Sequence, residues 1–178
     1  MAFSVKKAVI PTLSEIHKSV NKAHYSDCYH FYSDKKNRNA LQIWLDQASR
    51  IPAWVNFLMD TRNTIVSLFG LKNLGRIDTL DNTKSAEQYQ VGDQVGIFTL
   101  LFISENEIIL GDVDKHLTVK VSIHIDNNNN EDETEGELIS FSTVVHVHNL
   151  LGKVYMLFVA PIHKIIVPHS IIQAESAK

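Results

Sequence analysis

Four β-rich runs follow one another between residues 95 and 148: VGIFTLLFI, NEIILGDV, HLTVKVSIHI and ELISFSTVVHVH. Only short turn signals separate the first three. Runs this close in sequence pair antiparallel, because a parallel pair needs a crossover of a dozen or more residues. From Leu150 to Ile172 the period changes, and apolar residues fall almost all round a helical wheel, the mark of a helix buried against something large. Pro161 sits inside that pattern, where it removes a backbone donor and bends the helix. The economical packing is α+β: a curved antiparallel sheet wrapped around a long, kinked C-terminal helix.

The first half supplies the rest. TLSEIHKSV, residues 12–20, predicts a short helix, and SDCYHFY, residues 26–32, a first strand of aromatic character. Asn39 caps a helix over ALQIWLDQASR, and Pro52 opens a second at a first-turn position where its missing N–H costs nothing. Gly70 ends that helix, which places two helices between the first and second strands. Residues 70–93 are polar and turn-rich, a surface connection. DNNNNEDETEGE, residues 126–137, is expected to be a solvated, mobile hairpin tip. A chain of 178 residues with 44% apolar content suits one domain, 1–178, with its core at about 25–172.

Charge and cysteine usage narrow the function classes. Seventeen basic against twenty acidic side chains, with a pI near 6.3, offer no broad cationic surface, so nucleic acid is not an expected partner. One cysteine, Cys28, excludes an internal disulfide and reads as a small packing residue. The N-terminal apolar run is too short for a signal peptide, and Lys153, Pro161, His163 and Lys164 make the greasiest segment a poor membrane span. The expectation is a cytoplasmic protein without integral membrane association, its oligomeric state open, with a homodimer among the options.

The sequence resembles the helix-grip superfamily of START lipid-transfer domains, polyketide cyclases and birch-pollen-allergen-like proteins (SRPBCC). Within it, the chain is most similar to a bacterial domain family of unknown function. The matching residues are Pro52, Trp54, Leu58, Arg62, Asn63, Gly70 and Leu71; then Gly111, Asp114, His116 and Leu117; then Asn149, Gly152, Tyr155, Pro161 and His163. The resemblance implies a helix-grip fold with a cavity between sheet and C-terminal helix that takes an apolar or amphipathic small molecule. Lys164 stands where the resemblance leads one to expect arginine, which loses bidentate anion geometry.

The residues that could carry chemistry begin with Arg62. On a wheel of about 100° per residue, Asn56, Asp60, Asn63, Thr64 and Ser67 share one side of residues 52–69, and Arg62 falls on the apolar side between Val55 and Phe69. A guanidinium there either pairs with Asp112 or Asp114, snorkels to the surface, or faces a cavity and binds an acidic head group. Asp112 and Asp114 point one way if extended, and G-D-x-D is equally ordinary turn chemistry. His146 and His148 share a strand face expected to meet solvent, with too few neighbouring ligands for a metal site. His163, beside Pro161, is a candidate polar contact. The candidate ligand-binding set is therefore Arg62, Asp114, His116, His163, Trp54 and Tyr155, with no metal or cofactor expected. The leading reading is a small-molecule binding module. The alternatives are a cyclase- or hydrolase-type enzyme using a His/carboxylate pair, and an interaction domain with a collapsed cavity.

Overall fold

The computed structural model describes residues 4–35, 37–67, 75, 79–80, 84–126 and 136–176, the side chains of 65–67 excepted. The fold is α+β in a helix-grip arrangement. Its sheet has seven antiparallel strands in the order β1-β2-β7-β6-β5-β4-β3. The strands are β1 (Val5–Lys7), β2 (Tyr25–Ser33), β3 (Gln94–Val95), β4 (Phe98–Ile103), β5 (Glu107–Val113), β6 (Leu117–Asp126) and β7 (Glu137–Val147). The helices are α1 (Ala40–Ser49), α2 (Ala53–Ser67) and α3 (Leu150–Ser176). The four predicted β-rich runs become β4 to β7, and the predicted first strand becomes β2. Two short strands escape the sequence pattern: β1, and β3, which the turn at Gly96 splits from β4. The two helices therefore stand between the second and third strands.

Alternation divides the sheet into an inner face and an outer one. The inner face carries Tyr29, Phe31, Leu110, Ile123, Ile139 and Phe141, and α1 closes over it with Leu41, Ile43 and Trp44. The Trp44 ring lies 6.1 Å from that of Phe141, close to parallel. Asn39 caps α1 as the sequence predicts: its side chain accepts from Gln42 N at 2.9 Å, and Asn39 N donates in return to Gln42 Oε1 at 2.9 Å. The outer face carries Cys28, Ile109 and Val144, covered by Ile10 and Ile16. Ile16 belongs to a single 3-10 turn, Glu15–Ser19, where a longer helix is expected from the sequence. Gly70 and residues 127–135 of the hairpin tip lie outside the described residues.

Two helices differ from their sequence patterns. In α2, Asn56 and Asn63 are buried along with Val55, whereas Trp54 and Phe57 stand out at 40% and 69% exposure. Burial cuts across both sides of the wheel: Asn56 and Asn63 are buried while Asp60 and Thr64 on the same polar side are exposed, and Val55 is buried while Trp54 and Phe57 on the apolar side are not. In α3, of residues 150–166 only Gly152 is buried; Val167, Ile171 and Ala174 follow further on. The helix runs through Pro161 and Pro168. An all-round apolar pattern reports that a helix wants cover on every side, and the described residues supply it on one side, towards the sheet and α2.

The start of α3 is fixed by a cap. Asn149 Oδ1 accepts from Gly152 N at 3.1 Å, and Asn149 Nδ2 donates to Lys115 O at 3.2 Å. A Cβ on Gly152 would lie 2.4 Å from His116 O and 2.9 Å from Val147 Cγ1. The helix can thus approach the β5–β6 turn so closely only with glycine there. Gly152→Ala is expected to cost about 1–3 kcal/mol, because the clash is with backbone and cannot be relieved by a rotamer. Urea denaturation checks it; an unchanged midpoint would show that α3 docks less closely.

Candidate functional site

Where α3 crosses β2, three polar side chains meet on the inner face. Asp27, from the middle of β2, has a side chain only 1% exposed. Tyr25, two residues earlier on the same face, donates its hydroxyl to Asp27 Oδ2 at 2.5 Å. His163, from α3, places Nδ1 3.2 Å from the same oxygen. Asp27 and Tyr25 share a face because they stand two apart in a strand, and β7 sets Thr143 directly opposite Asp27. Thr143 Oγ1 and Asp27 Oδ1 are both buried without an ordinary hydrogen bond.

The surroundings favour an ionised Asp27 and a protonated Tyr25. Burial, the largest single influence, pushes the Asp27 carboxyl up. The bonds and charge from His163, with Tyr25 and the nearby Thr143 hydroxyl, outweigh it and hold the carboxyl below its ordinary value. Burial and the adjacent Asp27 carboxylate push the Tyr25 phenol far above its usual range, so it remains a donor. An ionised Asp27 accepts only, so Nδ1 of His163 carries the proton. In the neutral imidazole, Nε2 is then the free acceptor, and the ring keeps a quarter of its side chain exposed. The cluster holds two acceptors, His163 Nε2 and Asp27 Oδ1, the second buried beside the Thr143 hydroxyl.

The other sequence candidates sit elsewhere. Asp114 Oδ1 accepts from His116 N at 2.7 Å, the turn chemistry weighed for G-D-x-D. His116 is buried, and its Nδ1 meets the Asn149 side chain. Asp114, His116, Asn149 and Gly152 thus form one docking device for α3, which accounts physically for two of the matching motifs. Arg62 Nε donates to Tyr155 Oη at 3.1 Å, its guanidinium lies 5.4 Å from that ring's centre, and Nη1 donates to Asn63 Oδ1 at 2.8 Å. Asp112 is buried on the inner face. Trp54 meets His169 edge-on at 6.1 Å, so Trp54, Arg62, Tyr155 and His169 form the seam between α2 and α3.

Of the nine histidines, His163 alone among the candidates weighed from sequence gains a carboxylate partner, and it does so through Asp27. Asp27 was legible only as a charge inside an aromatic strand, SDCYHFY, on the same face as Tyr25 and Tyr29. His148 Nε2 pairs with Thr118 Oγ1 at 2.9 Å, and His146 Nε2 lies 3.3 Å from Asn21 O. No group of three or more His, Cys, Asp or Glu among the described residues is placed to hold a metal ion. Two open hollows lie at described residues. One, of about 420 Å³, is lined by Pro11, Leu13, Asn106, His124 and Asp126; the other, of about 230 Å³, runs along residues 7–10 and 26–28. Neither is the expected cavity between sheet and α3.

The family model that matches the chain is described as a protein of unknown function, DUF2867, and covers residues 19–170. No curated protein and no solved structure matches.

Proposed function

The chain belongs to this family of unknown function, and we propose that it binds an amphipathic small molecule on the inner face of the sheet, beneath α3. On this reading it sits with the START-like and polyketide-cyclase-like helix-grip proteins. One observation carries the proposal: a buried carboxylate, one oxygen of which has only the nearby Thr143 hydroxyl beside it, lies under a stretch of α3, residues 150–166, in which Gly152 alone is fully buried and Tyr155, Met156, Val159, Ala160, His163 and Ile166 are half-buried. A helix docked so loosely can be lifted by an apolar ligand without loss of a packed core. The polar end of the ligand is a donor, a hydroxyl or an amine, because Asp27 Oδ1 and His163 Nε2 both accept. Tyr155 and Trp54 line its apolar path along the α2–α3 seam.

The Asp27–His163 pair also favours a second reading. A carboxylate that fixes an imidazole with Nε2 free makes that nitrogen a general base, as a cyclase or hydrolase of small molecules requires. The carboxylate is then Asp27, from β2, rather than Asp114.

Native mass spectrometry separates the outcomes. The purified protein is expected to carry a stoichiometric adduct with a hydroxyl or amine head, lost in a folded Asp27→Asn variant. A clean apo mass, with no thermal shift from long-chain alcohols or amines, would refute binding. Chemical change of such an adduct by the wild type but not by His163→Ala would favour the enzyme.

A further inference from the structure

The first two-thirds of α3 turn an uninterrupted apolar stripe away from the protein. Leu150, Val154, Leu157, Phe158, Ile162 and Ile165 are all exposed, Leu157 and Phe158 at 71% and 66%. At about 100° per residue they fall within a single sector of the wheel, with Pro161 between them. Across the α2–α3 seam, Trp54 and Phe57 of α2 are exposed as well. The polar groups of residues 150–166 that reach solvent fully are Lys153 and Lys164, which border the stripe on the side away from α2. No acidic residue occurs in α3 before Glu175.

We propose that this stripe docks the protein on an anionic lipid surface, with α3 lying in the interface. Scattered apolar residues on a surface need no explanation, but a continuous stripe with aromatic members and a basic border marks an interaction site. Charge selects the occupant. Neither lysine has an acid on its own helix before Glu175, and Lys164, whose Nζ lies 5.9 Å from the centre of the Tyr25 ring, keeps its charge, so an anionic bilayer complements them where a neutral one does not. A second copy of the chain fits less well. Two stripes packed antiparallel about Phe158 set Lys153 of one copy beside Lys164 of the other, like against like. The helix lies on the bilayer rather than crossing it. It is long and apolar enough to span, but the two lysines interrupt it, and its last turns are held down by Val167, Ile171 and Ala174. Lys35 Nζ, which donates to Ala174 O at 2.9 Å, and Ser33, whose hydroxyl donates to Glu175 at 2.6 Å, tie the same end to β2.

Vesicle flotation of the full chain tests this independently of any small ligand. Binding to phosphatidylcholine vesicles containing phosphatidylserine is expected, with little to phosphatidylcholine alone. Lys153→Gln and Lys164→Gln should each weaken it about fivefold, and added salt should do the same. Leu157→Glu/Phe158→Glu should abolish it while leaving the circular dichroism spectrum and melting temperature intact, since both residues are exposed. No flotation would overturn the proposal. So would a dimer in size-exclusion chromatography that the double variant converts to monomer, which assigns the stripe to a second copy.

Discussion

Glu107→Ala is expected to be the most damaging single substitution on the outer face, at about 3–5 kcal/mol. Glu107, at the start of β5, is 5% exposed. Its carboxylate accepts from Ser14 Oγ at 2.6 Å, Glu15 N at 2.6 Å, Ile16 N at 3.2 Å and Ser122 Oγ at 2.8 Å. Two of these donors are the free backbone N–H groups at the start of the 3-10 turn, so the side chain caps that turn from another element. Removing it strands several buried donors, each at about 1–3 kcal/mol, partly offset where water can enter. It also loosens Ile16, fully buried against the outer face. For a chain of this size the loss corresponds to a melting-temperature fall of roughly 10 °C. Glu107→Gln keeps one acceptor oxygen and should cost about half as much. Thermal denaturation decides it: a fall of a degree or two for Glu107→Ala would mean that the 3-10 turn holds without its cap.

Asp27→Asn is expected to destabilise by about 2–3 kcal/mol at neutral pH, since two hydrogen bonds to a buried charge are weakened together. The loss should depend on pH with a definite sign. The folded carboxyl lies below its ordinary value of 3.8, so its stabilisation is fully present above that value. It is lost as pH falls through the folded one. The gap in stability between wild type and Asp27→Asn should therefore be constant from neutral pH down to about pH 5 and close in stronger acid. Urea midpoints measured along that series give the curve. A gap that does not change in acid would mean that Asp27 is not ionised within the cluster.

Periodicity made the fold legible because it needs only local information. The β-rich runs, the Asn39 cap and the C-terminal helix are each written in a few adjacent residues. β1 and β3 were hidden, since three and two residues carry no period. The faces of α2 and α3 were hidden for a different reason. Trp54 and Phe57 look like core residues on a wheel, and only the placement of a neighbouring element decides whether they are. The site followed the same rule. His163 was marked by its place beside Pro161, but its partner is 136 residues away on β2, and no spacing connects them. The motif residues Asp114, His116, Asn149 and Gly152 suggested a site by their chemistry and form the mooring of α3. With Ser33 and Lys35 holding the other end, that mooring leaves the helix anchored at both ends and less buried between them, the condition the proposed ligand site depends on.

The claim that Asp27 and His163 form the polar end of a binding site is tested most directly by a long-range ¹H–¹⁵N spectrum of the histidine side chains. It would be recorded with and without a long-chain alcohol. Nδ1 of His163 is predicted to carry a proton directed at Asp27, and the Nε2 signal to move on addition of the alcohol while His116 stays in place. A His163 with its proton on Nε2, or one whose signals do not respond, would contradict the account.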